Sequence, residues 1–425
     1  MELLLGRILA FILLTVPATA LAGPTTTRVA TTRESLRIDA AFPGGNIIVD
    51  RIDGNRVFLR PDRRDTPRFW FYWYFRVRGS AGRTITFTFT DGVPIGARGP
   101  AVSMDGGRTW RWLGAEAVEN ASFTYAFARD ADEVRFCFTI PYLEADWRAF
   151  LGRHPAGPHL ETATLCRTRK GRNVECLHVG RLGGSPAHRV LLTARHHACE
   201  TIADFVLEGI VQSVLADEEQ AWLRENVEFL IVPFVDKDGV EDGDQGKLRA
   251  PRDPNRDYAG ESIYPATQAI RELVPRWADG RLRVAIDLHC PYIRGGRNET
   301  VFFVGVPDAA IWRNVGRLSA ILESLPEKGL PYRASDNLPF GQEWNNREKM
   351  GEGKSFAEWA AELPGVEVAA TLEVAYANVH GTTVTPRTAR AFGHDLARAI
   401  RLFLQQAAAG RPARGAAGAR GEVRP

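Results

Sequence analysis

The chain has 425 residues, 44% of them hydrophobic, with 54 basic against 51 acidic side chains. A balance this close to neutral argues against a dedicated nucleic-acid binder, which needs a strongly basic face. The length is large for one domain and natural for two.

In chain order, Arg7 is followed by an apolar core from Ile8 to Val16 and by Ala20-Leu21-Ala22 before Gly23. That pattern reads as a secretory signal peptide cleaved after Ala22, so the expectation is a secreted or periplasmic protein. The apolar run is too short to favour a membrane span. The next part is all-β in pattern. Phe69 to Phe75 is aromatic throughout and reads as a buried strand, and Thr84 to Thr90 alternates with period two. Ser103 to Trp110 matches an Asp-box, a hairpin turn expected to pack Trp110 beneath it. Cys137 falls in a strand-like run and reads as core. Ile140, Tyr142, Trp147 and Phe150 mark a boundary. Cys166 and Cys176 flank a polar segment centred on Gly171 and read either as a cross-hairpin disulfide or as two unrelated buried thiols.

Beyond the boundary, strands alternate with helices. Strand-like runs lie near Val190, Val227 to Val232, Val284, Val301 and Val368. Helical periodicity covers Ile202 to Leu215, Ile263 to Trp277, Ile311 to Leu325 and Thr388 to Leu404. This is an α/β domain, a mixed sheet flanked by helices, preceded by an all-β sandwich domain. The boundaries read as 1–22 for the signal peptide, 23–152 for the sandwich, 153–406 for the α/β domain and 407–425 for a disordered tail.

Four segments carry chemistry. His197 and Glu200 sit where the strand Val190 to Thr193 gives way to a helix, and an imidazole and a carboxylate three residues apart suit zinc. Val235 to Arg249 reads as a solvated polar loop, with calcium binding the minority alternative because its glycines fall at the wrong offsets for an EF-hand. The arginines that follow, with Asn255 and Arg256, suit bidentate capture of a carboxylate. Arg283 to His289 is an apolar run ending in a histidine, at the strand end where open α/β sheets bind ligands. Glu373 interrupts the apolar strand Val368 to Val374, a costly place for a carboxylate unless it is paired or used.

HxxE, then Asn-Arg, then Asp-x-His, then Thr-Leu-Glu, in that order, resembles the zinc metallocarboxypeptidases (funnelins). The resemblance is closest to the branch that includes the cytosolic carboxypeptidases, which carry a β-sandwich ahead of the catalytic domain. It implies one zinc per chain held by His197, Glu200 and His289, a substrate carboxylate held by Asn255 and Arg256, and Glu373 as general base and acid. It implies an arginine that polarises the scissile carbonyl, with Arg249 and Arg252 competing for the role. It gives no position for the family's phenolic tyrosine, and Tyr376 reads as structural. Related enzymes have Pro-Gly where this chain has Ala198-Cys199; Cys199 and Cys290 are read as able to compete for zinc or to oxidise. The expected substrate is the C-terminus of a peptide or protein. A zinc amidase acting on cell-wall peptides or N-acyl amino acids and a non-catalytic binding protein are the alternatives.

Overall fold

The structure is a computed structural model that describes residues 35–326 and 329–409. The signal-peptide reading therefore lies outside the described residues, as do residues 410–425 of the tail. Among the described residues, no helix is long and apolar enough to cross a membrane.

Two five-stranded sheets build the N-terminal region. In Thr84–Phe89 the odd positions Ile85, Phe87 and Phe89 are buried while the threonines point outward, the period-two alternation of a strand with one wet face. Phe75, Phe87, Phe123 and Phe136 interlock between the sheets, with ring centroids 4.9 to 5.6 Å apart. The aromatic run starts its strand later than the sequence suggests, at Tyr74–Arg78. Ahead of it, Tyr72 gives its N–H to Gln245 Oε1 at 2.7 Å and takes Gln245 Nε2 on its carbonyl at 2.8 Å. A side chain from much later in the sequence thus takes the place of a strand partner. The Asp-box forms its turn. Asp105 Oδ1 accepts the N–H groups of Arg108 and Thr109 at 3.0 and 2.9 Å, and Trp110 packs edge-on to Tyr74.

The sheet of the later part of the chain has seven strands: β1 Leu160–Arg167, β2 Asn173–Gly180, β3 His188–Ala194, β4 Val227–Val232, β5 Leu282–His289, β6 Val301–Val304 and β7 Val368–Val374. Their order is β1-β2-β4-β3-β5-β7-β6. The four central strands are parallel and the outer pairings antiparallel. Helices α1 Ile202–Ala216, α2 Pro265–Ala278, α3 Ala309–Ser324 and α4 Pro386–Ala409 pack beside it. β4 is buried at every position, which is why the central strands read as unbroken apolar runs. α4 continues to Ala409, past the point where the tail was read to begin. In the β1–β2 hairpin a register shift places Cys166 opposite Val174 and Cys176 opposite Ala163. The cysteines are therefore not cross-strand partners, and both thiols are free.

Candidate metal centre and the pocket beside it

The parallel strands end together, and that edge holds the chemistry. Register pairs His289 at the end of β5 with Glu373 on β7. β3 ends in a turn that Arg195 fixes, its φ of 59° in the left-handed region. The Arg195 guanidinium donates to Ala198 O at 3.0 Å and to Asp204 Oδ2 at 2.6 Å. This turn carries His197 and Glu200 to the mouth of the sheet.

There the three expected ligands converge. His197 Nδ1 is 2.9 Å from Glu200 Oε1, His289 Nδ1 is 2.6 Å from Glu200 Oε2, and the two Nδ1 atoms are 3.1 Å apart. The outer nitrogens are engaged elsewhere, His197 Nε2 by Asp253 Oδ1 at 3.0 Å and His289 Nε2 by Asp287 Oδ2 at 2.5 Å. A carboxylate on the outer nitrogen of each ring orients the imidazole and turns its Nδ1 toward a shared point, the arrangement that positions histidines for a metal. Donors about 2 Å from a tetrahedral zinc lie about 3.3 Å from one another, close to the spacings found. The donor set fits zinc.

Asp287 does more than hold His289. Its Oδ1 also accepts from Thr193 Oγ1 at 2.7 Å and His196 Nδ1 at 2.8 Å, and Tyr258 OH is 2.7 Å from His196 Nε2. Burial disfavours the Asp287 charge, but His196 and His289 outweigh it and keep the carboxyl below its ordinary range. Asp253 is likewise held low, against burial, by His197 and Lys247.

His197, His289, Glu373, Asn255, Arg256 and Lys247 line one pocket, with Val304, Val306, Phe340 and Trp344 along it. Glu373 is 5% exposed, and its Oε2 has no hydrogen-bond partner in the structure. Burial, resisted by His289 and aided by the Glu200 charge, pushes its carboxyl up to about 7. A buried carboxyl poised near neutrality, with an open oxygen beside the candidate ligands, is suited to move a proton. Asn255 is anchored by Oδ1, which accepts from Phe356 N at 2.9 Å, and its Nδ2 lies 3.1 Å from His289 Nε2. Lys247 Nζ stands 3.1 Å from His197 Nδ1. Burial works against its charge, yet Glu200, Glu373 and Asp253 hold the ammonium above the ordinary lysine value.

The structure does not bring Arg249 into this group. Its guanidinium is gripped by Asp236, Asp244 and Asp65 at 2.8, 3.1 and 3.2 Å, and among these carboxylates it lines a separate, charged cleft. Arg252 pairs with Asp257 at 2.6 Å and also lies outside the pocket. The stretch read as a solvated loop is largely internal: Asp236, Lys237 and Gln245 are buried, and Asn46 Nδ2 reaches across to Gly243 O at 2.7 Å. The polar residues there join the two halves of the chain. Neither Cys199 nor Cys290 is in a metal-holding group among the described residues. Burial pushes the Cys199 thiol up to about 12 and Cys290 well above its ordinary value. Tyr376 is buried with its hydroxyl 3.7 Å from Cys199 Sγ, a structural placement.

Sequence reasoning gave no role to Lys247, Asp253, Asp287 or His196. Spacing held a signal for two of them. Asp287 lies two residues before His289 on a strand, hence on the same face, and Asp253 lies two before Asn255.

Residues 144–289 match the family model described as zinc carboxypeptidase. The chain is 26% identical over 207 residues to cytosolic carboxypeptidase 2 of Xenopus tropicalis, covering 46% of this chain and 21% of that protein. It is 23% identical over 357 residues to cytosolic carboxypeptidase 6 of Caenorhabditis elegans, covering 75% of each. It thus spans only about a fifth of the frog relative's length. Among solved structures, a metallo-carboxypeptidase from Burkholderia cenocepacia superposes with a TM-score of 0.72 at 20% identity, over 88% of this chain and 99% of that one. That likeness shows the fold.

Proposed function

We infer that this chain, whose residues 144–289 match the zinc carboxypeptidase family model, is a zinc-dependent hydrolase that removes the C-terminal residue of peptides or proteins. The observation that carries the reading is the convergence of His197 Nδ1, His289 Nδ1 and the Glu200 carboxylate beside the open oxygen of Glu373. Zinc, when held by those donors, acts as a Lewis acid that acidifies water. Glu373 takes the water proton and returns it to the departing amine. Arg256, on the wall of the same pocket, meets the terminal carboxylate of the substrate, and Asn255 assists it; this restricts cleavage to chain ends.

The deciding experiment compares one peptide with a free and with an amidated C-terminus, read by mass spectrometry. The free form should lose residues one at a time and the amidated form should be nearly inert, because a charge-assisted bidentate contact is lost. Arg256→Ala should erase that preference together with the rate. Comparable cleavage of both forms would favour the amidase reading.

The leader pattern around Ile8 to Val16 and Ala20-Leu21-Ala22 supports export. The mature protein recovered from its host should begin at Gly23, and an N-terminus at Met1 would sink that inference.

A further inference from the structure

The cation that stands against the candidate metal ligands is a lysine. Lys247 Nζ lies 3.1 Å from His197 Nδ1 and 3.5 Å from Glu200 Oε1, on the wall of the pocket that Glu373 and Arg256 also line. Its side chain keeps a quarter of its surface exposed, and it lines the same pocket as Glu373. Of the neighbouring arginines, Arg249 is committed to three carboxylates and Arg252 to Asp257, and Arg256 on the same wall is the one assigned to the terminal carboxylate of the substrate.

Lys247 is held in place by the N-terminal sandwich. Asp65 accepts the N–H groups of Gln245 and Gly246 at 3.0 and 2.7 Å. Thr66 Oγ1 donates to Lys247 O at 2.7 Å, and the Trp70 ring lies 5.7 Å from the ammonium. With the two bonds between Gln245 and Tyr72, the segment 65–72 grips three successive residues ending at Lys247. Preorganised donors of this kind cost no rearrangement when charge develops beside them.

We propose that Lys247 is a catalytic residue whose ammonium receives the carbonyl oxygen of the scissile bond as negative charge builds on it. The inference rests on the carboxypeptidase reading and adds the group that stabilises the oxyanion. In the addition step a water oxygen bonds to the carbonyl carbon, the C=O π pair moves onto the carbonyl oxygen, and the water proton goes to Glu373. In the breakdown step that oxygen re-forms the C=O bond and the C–N pair leaves with nitrogen, which takes the proton from Glu373. Lys247 donates hydrogen bonds to the oxygen throughout and exchanges no proton. It offers a compact charge with three donors where arginine would offer a planar fork.

The test uses the full mature protein with Lys247→Met and Lys247→Arg. Zinc content and affinity come from elemental analysis and chelator competition. Turnover is measured on a peptide with a free C-terminus, and binding with a phosphinate analogue of that peptide. Lys247→Met should keep its zinc at least as tightly as wild type, since a cation next to the site is gone. Its kcat should fall about 100- to 1000-fold, the scale for losing one oxyanion donor, with KM little changed. Phosphinate affinity should fall in parallel while affinity for the free product amino acid holds, and Lys247→Arg should recover most of the loss. Turnover close to wild type in Lys247→Met, zinc loss that tracks the loss of turnover, or unchanged phosphinate binding would each overturn the proposal. A wild type that trims no peptide overturns the carboxypeptidase reading and this proposal together; a wild type that trims, with Lys247→Met its equal, overturns this proposal alone.

Discussion

His197 and His289 face each other through their Nδ1 atoms at 3.1 Å, and each turns its Nε2 to a different carboxylate, Asp253 and Asp287. The Glu200 carboxylate closes the same group, so both imidazoles present Nδ1 to one point. The carboxylates behind them hold that arrangement ready for a cation.

Asp253→Asn and Asp287→Asn should therefore weaken zinc binding about 10- to 100-fold each while the ligands stay intact. Competition with a calibrated chelator measures this directly. Asp287→Asn should also cost more stability in the melting curve, because it loosens Thr193 and His196 as well. Unchanged zinc affinity in both variants would mean the imidazoles need no such support.

Glu373→Gln keeps the shape and removes the carboxylate proposed to take the water proton. Zinc content and melting temperature should match wild type, and turnover should fall about 100-fold or more. Activity equal to wild type would place the base elsewhere.

The sequence displayed the candidate ligands because each sits at a boundary that pattern alone marks. His197 and Glu200 fall between an apolar strand and a periodic helix, and His289 ends an apolar run. Glu373 stood out as a charge inside a strand. Lys247 and Arg249 were harder, since two cations two residues apart in a polar stretch look alike. Only the fold shows that Asp65, some 180 residues earlier in the chain, joins the carboxylates that bind Arg249 and leaves Lys247 in the pocket. The same long-range pairing explains why the loop read as solvated is buried: its partners belong to the sandwich.

The Arg249 cluster has its own pH signature. Burial and the Asp65 charge push the Asp244 carboxyl up to about 7, against the pull of Arg249. The folded chain then keeps a proton that the unfolded chain, at the ordinary value of 3.8, has already released. Stability from this group is full below the ordinary value and falls as pH rises toward 7. Asp244→Asn should melt closest to wild type at or below about pH 4 and increasingly above it as pH rises to about 7. Parallel melting profiles would refute the assignment.

The last prediction concerns how closely the loop bearing Lys247 approaches the ligand turn. Gly246 has φ +73°, and a Cβ there would lie 2.2 Å from Ala198 N and 3.0 Å from the His197 carbonyl carbon. Those are backbone atoms, which no change of rotamer can clear. Gly260 offers the control: its φ is +60°, yet a Cβ there meets nothing within 4 Å. Alanine at either position bears the left-handed backbone cost, about 1–2 kcal/mol. Gly260→Ala should lose that much stability and nothing else. Gly246→Ala must in addition push the loop away from His197, so zinc affinity and turnover should both fall while the sheet and sandwich stay folded by circular dichroism. If the two variants lose equal stability and both keep full zinc affinity, the tight approach of Gly246 to Ala198 plays no part in building the site.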